Sequence, residues 1–273
     1  VLKYVWVYLT GGHFGTGENA YQNYFAGFIS EPVQPLVLGV VFMAICIFVI
    51  VKGVSSGIER VSKVLMPALF ILLIAVVIRA MTLPGAMEGV KFMLEINPES
   101  ITGNTLVGAL GQAFFSLSVG MGIIVTYGSY VPKHENLVKS ATWICVLDTL
   151  VAILAAFAII PIVFVTLGAE GLGMGGGFAF MALPEVFASL PGGTVVGLIF
   201  FILLFLAALT SAISILESCV AFLTEEFHIS RLKATLILSV PMFLLGAGYS
   251  LSQSDARGIN LPWFDFSNGL QML

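Results

Sequence analysis

The chain has 273 residues, 59% of them hydrophobic and only 10% charged, with a mean hydropathy of +1.06 and a formal net charge of −4. Those proportions exclude an ordinary soluble domain and specify an integral membrane protein. The small net charge is mostly loop-borne and argues against nucleic acid as a partner. Cys46, Cys145 and Cys219 all fall inside apolar stretches, which suits buried small hydrophobes better than disulfides or metal ligands.

Val1 to Thr10 is apolar but too short to span a bilayer, so it looks like the end of a helix that begins earlier. Gly11 to Pro35 is polar and Gly-rich. Leu36 to Val51 forms a first span, and the basic loop Val51 to Lys63 leads into a second at Val64 to Met81. Thr82 to Gly103 is extramembrane, with Gly89 to Leu94 suited to a surface helix. A third, interrupted span runs from Asn104 to Tyr130, a fourth from Ser140 to Thr166. The Gly-rich segment Leu167 to Gly193, amphipathic near Leu183 to Leu190, is expected to fold back as a lid. Thr194 to Leu223 and Leu232 to Leu251 are the fifth and sixth spans.

Alternate loops carry unequal positive charge. Lys52, Arg60, Lys63, Lys133, Lys139, Arg231 and Lys233 fall on one side; Arg79, Lys91 and Arg257 fall on the other. The first side is therefore cytoplasmic.

Gly111 to Tyr130, GQAFFSLSVGMGIIVTYGSY, places Ser116, Ser118, Gly120 and Gly122 at mid-membrane depth. Small residues there suit close helix packing. A break that frees backbone groups in hydrocarbon, however, survives only under protein cover or beside a wet cavity. Phe114, Phe115, Met121 and Gln112 flank it, a lining suited to an amphipathic small molecule with an apolar side chain.

Asp148 is the one acidic residue in the middle of the fourth span. A charge at that depth costs on the order of 3 kcal/mol, so it needs a partner or a wet cavity, and a bound cation is the simplest counter-charge. In the fifth span Ala207, Thr210, Ser211, Ser214 and Ser218 share one small polar face beside Ile215. Their hydroxyls can bond their own helix backbone. They also supply the oxygens a hard cation requires. Glu217, nearer the cytoplasmic end, is expected to snorkel or bond its own helix. Gly57 and Pro67 bracket the start of the second span as a kink or an unwinding hinge. His13, His134 and His228 lack metal-ligand spacing, and no Gly-Lys-Ser/Thr loop or HExxH motif supports ATP hydrolysis or zinc-dependent hydrolysis.

The stretch GQAFFSLSVGMGIIVTYGSY, preceded by GIERVSKVLMP at Gly57 to Pro67 and followed by LFLAALTSAISILE at Leu204 to Glu217, resembles the neurotransmitter:sodium symporter family, particularly its bacterial amino acid transporters. The resemblance implies an all-α membrane chain with part of the leucine transporter fold, an inverted-repeat architecture with one discontinuous helix. It implies a single transmembrane unit over 1–273, from the end of the family's third helix to the start of its tenth, and hence a truncated piece of a longer chain. By position it assigns Phe115, Ser116, Ser118, Met121, Ser211 and Ile215 to substrate. It assigns Ser116 and Asp148 to a first sodium site, and Ala207, Thr210 and Ser211 to a second, each incomplete in this chain. Gln112 and Ser116 match the region where chloride-dependent members bind chloride. Asp148 stands where many members have asparagine, and Ala152 lies one turn on; a fixed carboxylate there predicts chloride independence. Asp265, or Asn268 in another frame, is the expected acidic gate residue.

The resulting expectation is a multi-pass protein of the inner (plasma) membrane. It belongs to a sodium-coupled importer of hydrophobic or aromatic amino acids that works by alternating access, and it is inactive as an isolated piece. The partners are substrate, sodium, the lipid bilayer and a second copy in a homodimer. The rival expectation is a non-transporting fragment or scaffold that packs helices and binds nothing.

Overall fold

The computed structural model describes residues 1–15, 19–53, 58–95, 98, 101–168, 178–189 and 192–252. Every regular element among them is helical: α1 (Leu2–Thr10), α2 (Ala20–Ser30), α3 (Val33–Val51), α4 (Glu59–Met81), α5 (Ala86–Leu94), α6 (Gly103–Ser116), α7 (Ile123–Ser129), α8 (Leu137–Leu167), α9 (Phe178–Ser189), α10 (Gly193–Glu226) and α11 (Arg231–Ser252). Five of these, α3, α4, α8, α10 and α11, are long and apolar enough to cross a membrane. The interrupted sixth span is the pair α6 and α7. Gly57 and Asp265, expected as hinge and gate residues, lie outside the described residues, as does Asn268.

Two boundaries differ from expectation. The segment Gly11 to Pro35 is not all loop, because α2 forms within it and stacks Phe25 on Phe180 of α9 at 5.6 Å between ring centroids. Tyr21, Tyr24, Phe25 and Phe28 stand on one face at helical spacing, but eleven residues are too few to hold a helix unaided, so packing against α9 completes it. Helix α3 begins at Val33, before Pro35, since a proline in the first turn lacks only an N–H that would have no helical partner. Helix α6 starts where Thr102 caps it: the Thr102 hydroxyl accepts from the Thr105 amide, and the Thr105 hydroxyl accepts from the Thr102 amide. The cysteines also depart from expectation. All three are free, but only Cys46 is buried; Cys145 and Cys219 lie on exposed faces, where a small apolar thiol is at ease against lipid.

Two apolar cores run along the bundle. The one toward the extracellular side, by the charge asymmetry, packs Tyr4 and Tyr8 of α1 with Leu73, Val76 and Ala80 of α4, Ile162 and Val163 of α8, and Phe200 and Phe201 of α10. Helix α9 seals it as the expected lid, with Leu183, Val186 and Phe187 almost wholly buried. The Tyr4 hydroxyl donates to the Phe180 carbonyl at 2.8 Å. The surface helix α5 lies tightly on α8, since a Cβ on Gly89 would sit 2.7 Å from the Cα of Pro161. The second core, toward the cytoplasm, packs Cys46, Val49 and Ile50 of α3 with Ile213, Leu216 and Val220 of α10 and Ala234 of α11.

Candidate functional site

Helix α6 stops at Ser116 and α7 starts at Ile123, leaving six residues of non-helical backbone inside the span. Ser118 has φ 55°, Gly120 φ 86° and Gly122 φ 76°. Glycine takes this left-handed region freely, whereas Ser118 does so at a cost of roughly 1–2 kcal/mol. The amides of Leu117, Ser118 and Val119 reach back to the carbonyls of Ala113, Phe115 and Phe114 and close α6. The next backbone bond runs from the Thr126 amide to the Gly122 carbonyl. The amides of Gly120, Met121 and Gly122 thus make no backbone hydrogen bond among the described residues. The expected break is therefore present, at the expected glycines and serine.

It opens onto a cavity of about 370 Å³ between α4, the α6–α7 pair and α10. Its lining includes all six residues expected at the substrate: Phe115, Ser116, Ser118, Met121, Ser211 and Ile215. It also includes four not expected at substrate: Met66, Ile123, Thr210 and Ser214. Thr210 is expected at sodium, and Ser214 lies on the small polar face of the fifth span. Met66 carries no such signal, because an apolar residue in an apolar helix does not announce which neighbour it faces. The wall is open on one side: Phe115 is 70% exposed and Ile215 44%.

Beside the break, the Ser116 hydroxyl lies 2.7 Å from both carboxylate oxygens of Asp148 on α8. Among the described residues no lysine, arginine or histidine pairs with Asp148. A lone carboxylate and a hydroxyl at this depth form a hard-oxygen donor set that fits a small cation. On α10, Thr210 bonds its own backbone, donating to the Ala207 carbonyl at 3.0 Å and the Leu206 carbonyl at 3.2 Å. The proton is committed, yet the oxygen keeps its lone pairs and stands beside the Ala207 carbonyl, so this face also fits a cation.

Glu217 departs from expectation. It does not snorkel or bond its own helix: it is fully buried, accepts from the Tyr130 hydroxyl at 2.8 Å and forms an ion pair with Arg231. Arg231 also donates through Nε to the Ile50 carbonyl at 2.7 Å. One turn earlier on α10, Ser214 accepts from the Tyr127 hydroxyl at 3.3 Å. Helices α3, α7, α10 and α11 are thereby tied together beneath the cavity. Burial in the second core explains the difference, since a carboxylate enclosed there requires a cation within reach.

A multi-pass helical bundle with an interrupted helix, a cavity at the break and paired oxygens beside it defines the class of membrane transporters built on discontinuous helices. Residues 28–267 match the model of the Sodium:neurotransmitter symporter family, and the chain belongs to that family. It is 40% identical over 271 residues to the uncharacterized sodium-dependent transporter YhdH of Bacillus subtilis, covering 98% of this chain and 60% of that protein. It is 30% identical over 215 residues to the sodium- and chloride-dependent GABA transporter 2 of Rattus norvegicus, covering 74% and 36% respectively. The crystal structure of MhsT in complex with L-phenylalanine superposes with a TM-score of 0.85 at 39% identity, covering 99% of this chain and 62% of that one. The fold is thus the partial leucine transporter fold that the sequence resemblance implied. The chain spans about 60% of the length of the curated relative YhdH.

Proposed function

We propose that this chain forms one wall of the binding site of a sodium-coupled symporter for hydrophobic or aromatic amino acids. The Ser116–Asp148 pair at the helix break, which no lysine, arginine or histidine among the described residues joins, is the observation that carries this reading. In it, Ser116 and Asp148 ligate one sodium ion, and Ala207, Thr210 and Ser211 ligate a second. The apolar side chain of the substrate lies against Phe115, Met121, Ile123 and Ile215, and its polar end meets Ser118 and the free amides of the break. Phenylalanine bound to MhsT supports an aromatic or large apolar substrate. The remaining length found in the relatives would close the open side of the cavity. With the sodium gradient as driving force, alternating access imports the amino acid across the inner (plasma) membrane.

The Asp148 carboxylate carries a fixed negative charge next to the first sodium position, so transport is chloride-independent in this reading. Equilibrium binding of radiolabelled phenylalanine, leucine and tryptophan is the test, made on this chain and on a version extended to the length of its relatives. The extended protein should bind in sodium and lose at least tenfold in affinity when potassium replaces it. Asp148→Asn should make binding depend on chloride or on proton concentration. Equal binding in sodium and potassium would sink the proposal, and an Asp148→Asn protein unaffected by removal of chloride or by pH would sink the chloride argument.

A further inference from the structure

A second cavity, about 330 Å³ and almost wholly apolar, lies between α1 and α3, far in sequence from the helix break. Its lining is Lys3 and Trp6 of α1 with Val33, Gln34, Val37 and Leu38 of α3. The apolar members face outward: Trp6 is 66% exposed and Val33 61%. At the head of the groove the Lys3 ammonium donates to the Gln34 side-chain oxygen and lies 6.0 Å from the ring centroid of Tyr24 and 5.9 Å from that of Phe28. A neutral amide and two rings hold the ammonium in place without cancelling its charge. Among the described residues no carboxylate pairs with it; Glu31, one turn before Gln34, makes no ion pair with it.

Depth decides what such a groove meets. Helix α3 spans the bilayer and ends at the cytoplasmic Lys52, so its first turn, at Gln34, marks the outer edge of the hydrocarbon. Lys3 is fixed at that level, and an indole beside it is typical of the headgroup boundary. Val37 and Leu38 continue the groove about one turn deeper, into acyl chains. An uncancelled cation at headgroup depth above an apolar furrow is most complementary to a lipid whose phosphate has no ammonium of its own to balance it.

We propose that the α1–α3 groove binds an anionic phospholipid of the outer leaflet, with Lys3 paired to its phosphate and one acyl chain lying along Trp6, Val33, Val37 and Leu38. Zwitterionic lipids enter the same groove but gain less, because their own ammonium competes for the phosphate.

Trp6 is placed to report this. With Trp143→Phe and Trp263→Phe as background, its fluorescence is followed in phosphatidylcholine bilayers containing equal fractions of either phosphatidylglycerol or phosphatidylcholine brominated high on the acyl chain. The brominated phosphatidylglycerol should occupy the groove about three- to fivefold more often, the preference expected from one interfacial lysine. Lys3→Gln should bring that ratio to about one, whereas Lys3→Arg should keep it. Added salt should lower it in the unsubstituted background, which reads the charge pairing without altering the fold. Equal quenching by the two lipids would overturn the proposal. So would quenching by neither, which would mean that protein covers the groove, through a further segment of the same chain or a second copy. A full preference retained in Lys3→Gln would also overturn it.

Discussion

Glu217 shows what a single side chain costs and holds in this bundle. Its carboxylate is fully buried, and Arg231 supplies the only opposite charge that pairs with it among the described residues. Removing one member of a buried pair leaves the other uncompensated, typically at about 3–5 kcal/mol. Arg231→Ala should therefore lower stability by that amount in a denaturant titration. Glu217→Gln should cost clearly less, because an amide still accepts from Tyr130 and Arg231 is partly exposed. A similar loss in both variants would mean that packing and not charge governs the site. At this scale the sequence told unequal amounts. Ser118, Gly120 and Gly122 were legible because serine and glycine at mid-span contradict a regular membrane helix. The Glu217 pairing was not, since Arg231 lies 14 residues on in the chain and across a helix turn. Met66 was hidden because nothing local tells which apolar side chain faces a cavity.

At the scale of elements, the spans followed from hydropathy, and two of the short helices, α5 and α9, fall where the sequence marks Gly89 to Leu94 and Leu183 to Leu190. Helix α2 was not marked, although Tyr21, Tyr24, Phe25 and Phe28 stand at helical spacing on one face, because a short aromatic stripe in a polar, Gly-rich segment does not show that a partner, α9, arrives almost 150 residues later. The contact of α5 with α8 depends on an absent side chain. Gly89 brings the α5 backbone onto Pro161, and a Cβ there would also lie 3.0 Å from the Cβ of Phe164. Gly89→Leu should force the two helices apart at roughly 1–3 kcal/mol, the usual range for overpacking. Amide hydrogen exchange should then quicken along Ala86–Leu94 while α10 stays protected. An unchanged exchange pattern would show that α5 is held by other contacts.

For the molecule as a whole, the two cores share no residue among those described, and α4 and α10 run through both. On α4 the changeover falls between Leu65, which packs with the cytoplasmic core, and Leu73, which packs with the extracellular one. Pro67 stands between them. Lacking an N–H, it leaves the Lys63 carbonyl without its helical donor. The turn before it is stiffened by an exposed Lys63–Glu59 pair at 2.6 Å, which contributes little. On α10 the changeover falls at Leu204 and Phe205, somewhat under two turns before the Thr210 and Ser211 oxygens. The cavity thus lies at the joint between two separately packed halves, where relative movement disturbs the least buried surface. Pro67→Ala should restore a backbone bond and slow hydrogen exchange across Glu59–Met66, and in the extended protein it should slow transport more than it weakens substrate binding. Unaltered exchange would remove Pro67 from the hinge role that the sequence suggested.

The bond from Tyr4 to Phe180 has a consequence for how the chain is made. Its partners are 176 residues apart, and the Tyr4 ring also stacks on Phe201 at 4.7 Å. At roughly 5–20 residues per second, a ribosome needs on the order of ten seconds or more to deliver those partners after Tyr4 has emerged. During that interval Tyr4 and Tyr8 have only their near-sequence ring partners Phe14 and Tyr24, and lack Phe180 and Phe201. The core that these rings share is therefore finished late, when α9 and α10 arrive, and a stall in synthesis before Phe201 would leave α1, α4 and α8 with it incomplete.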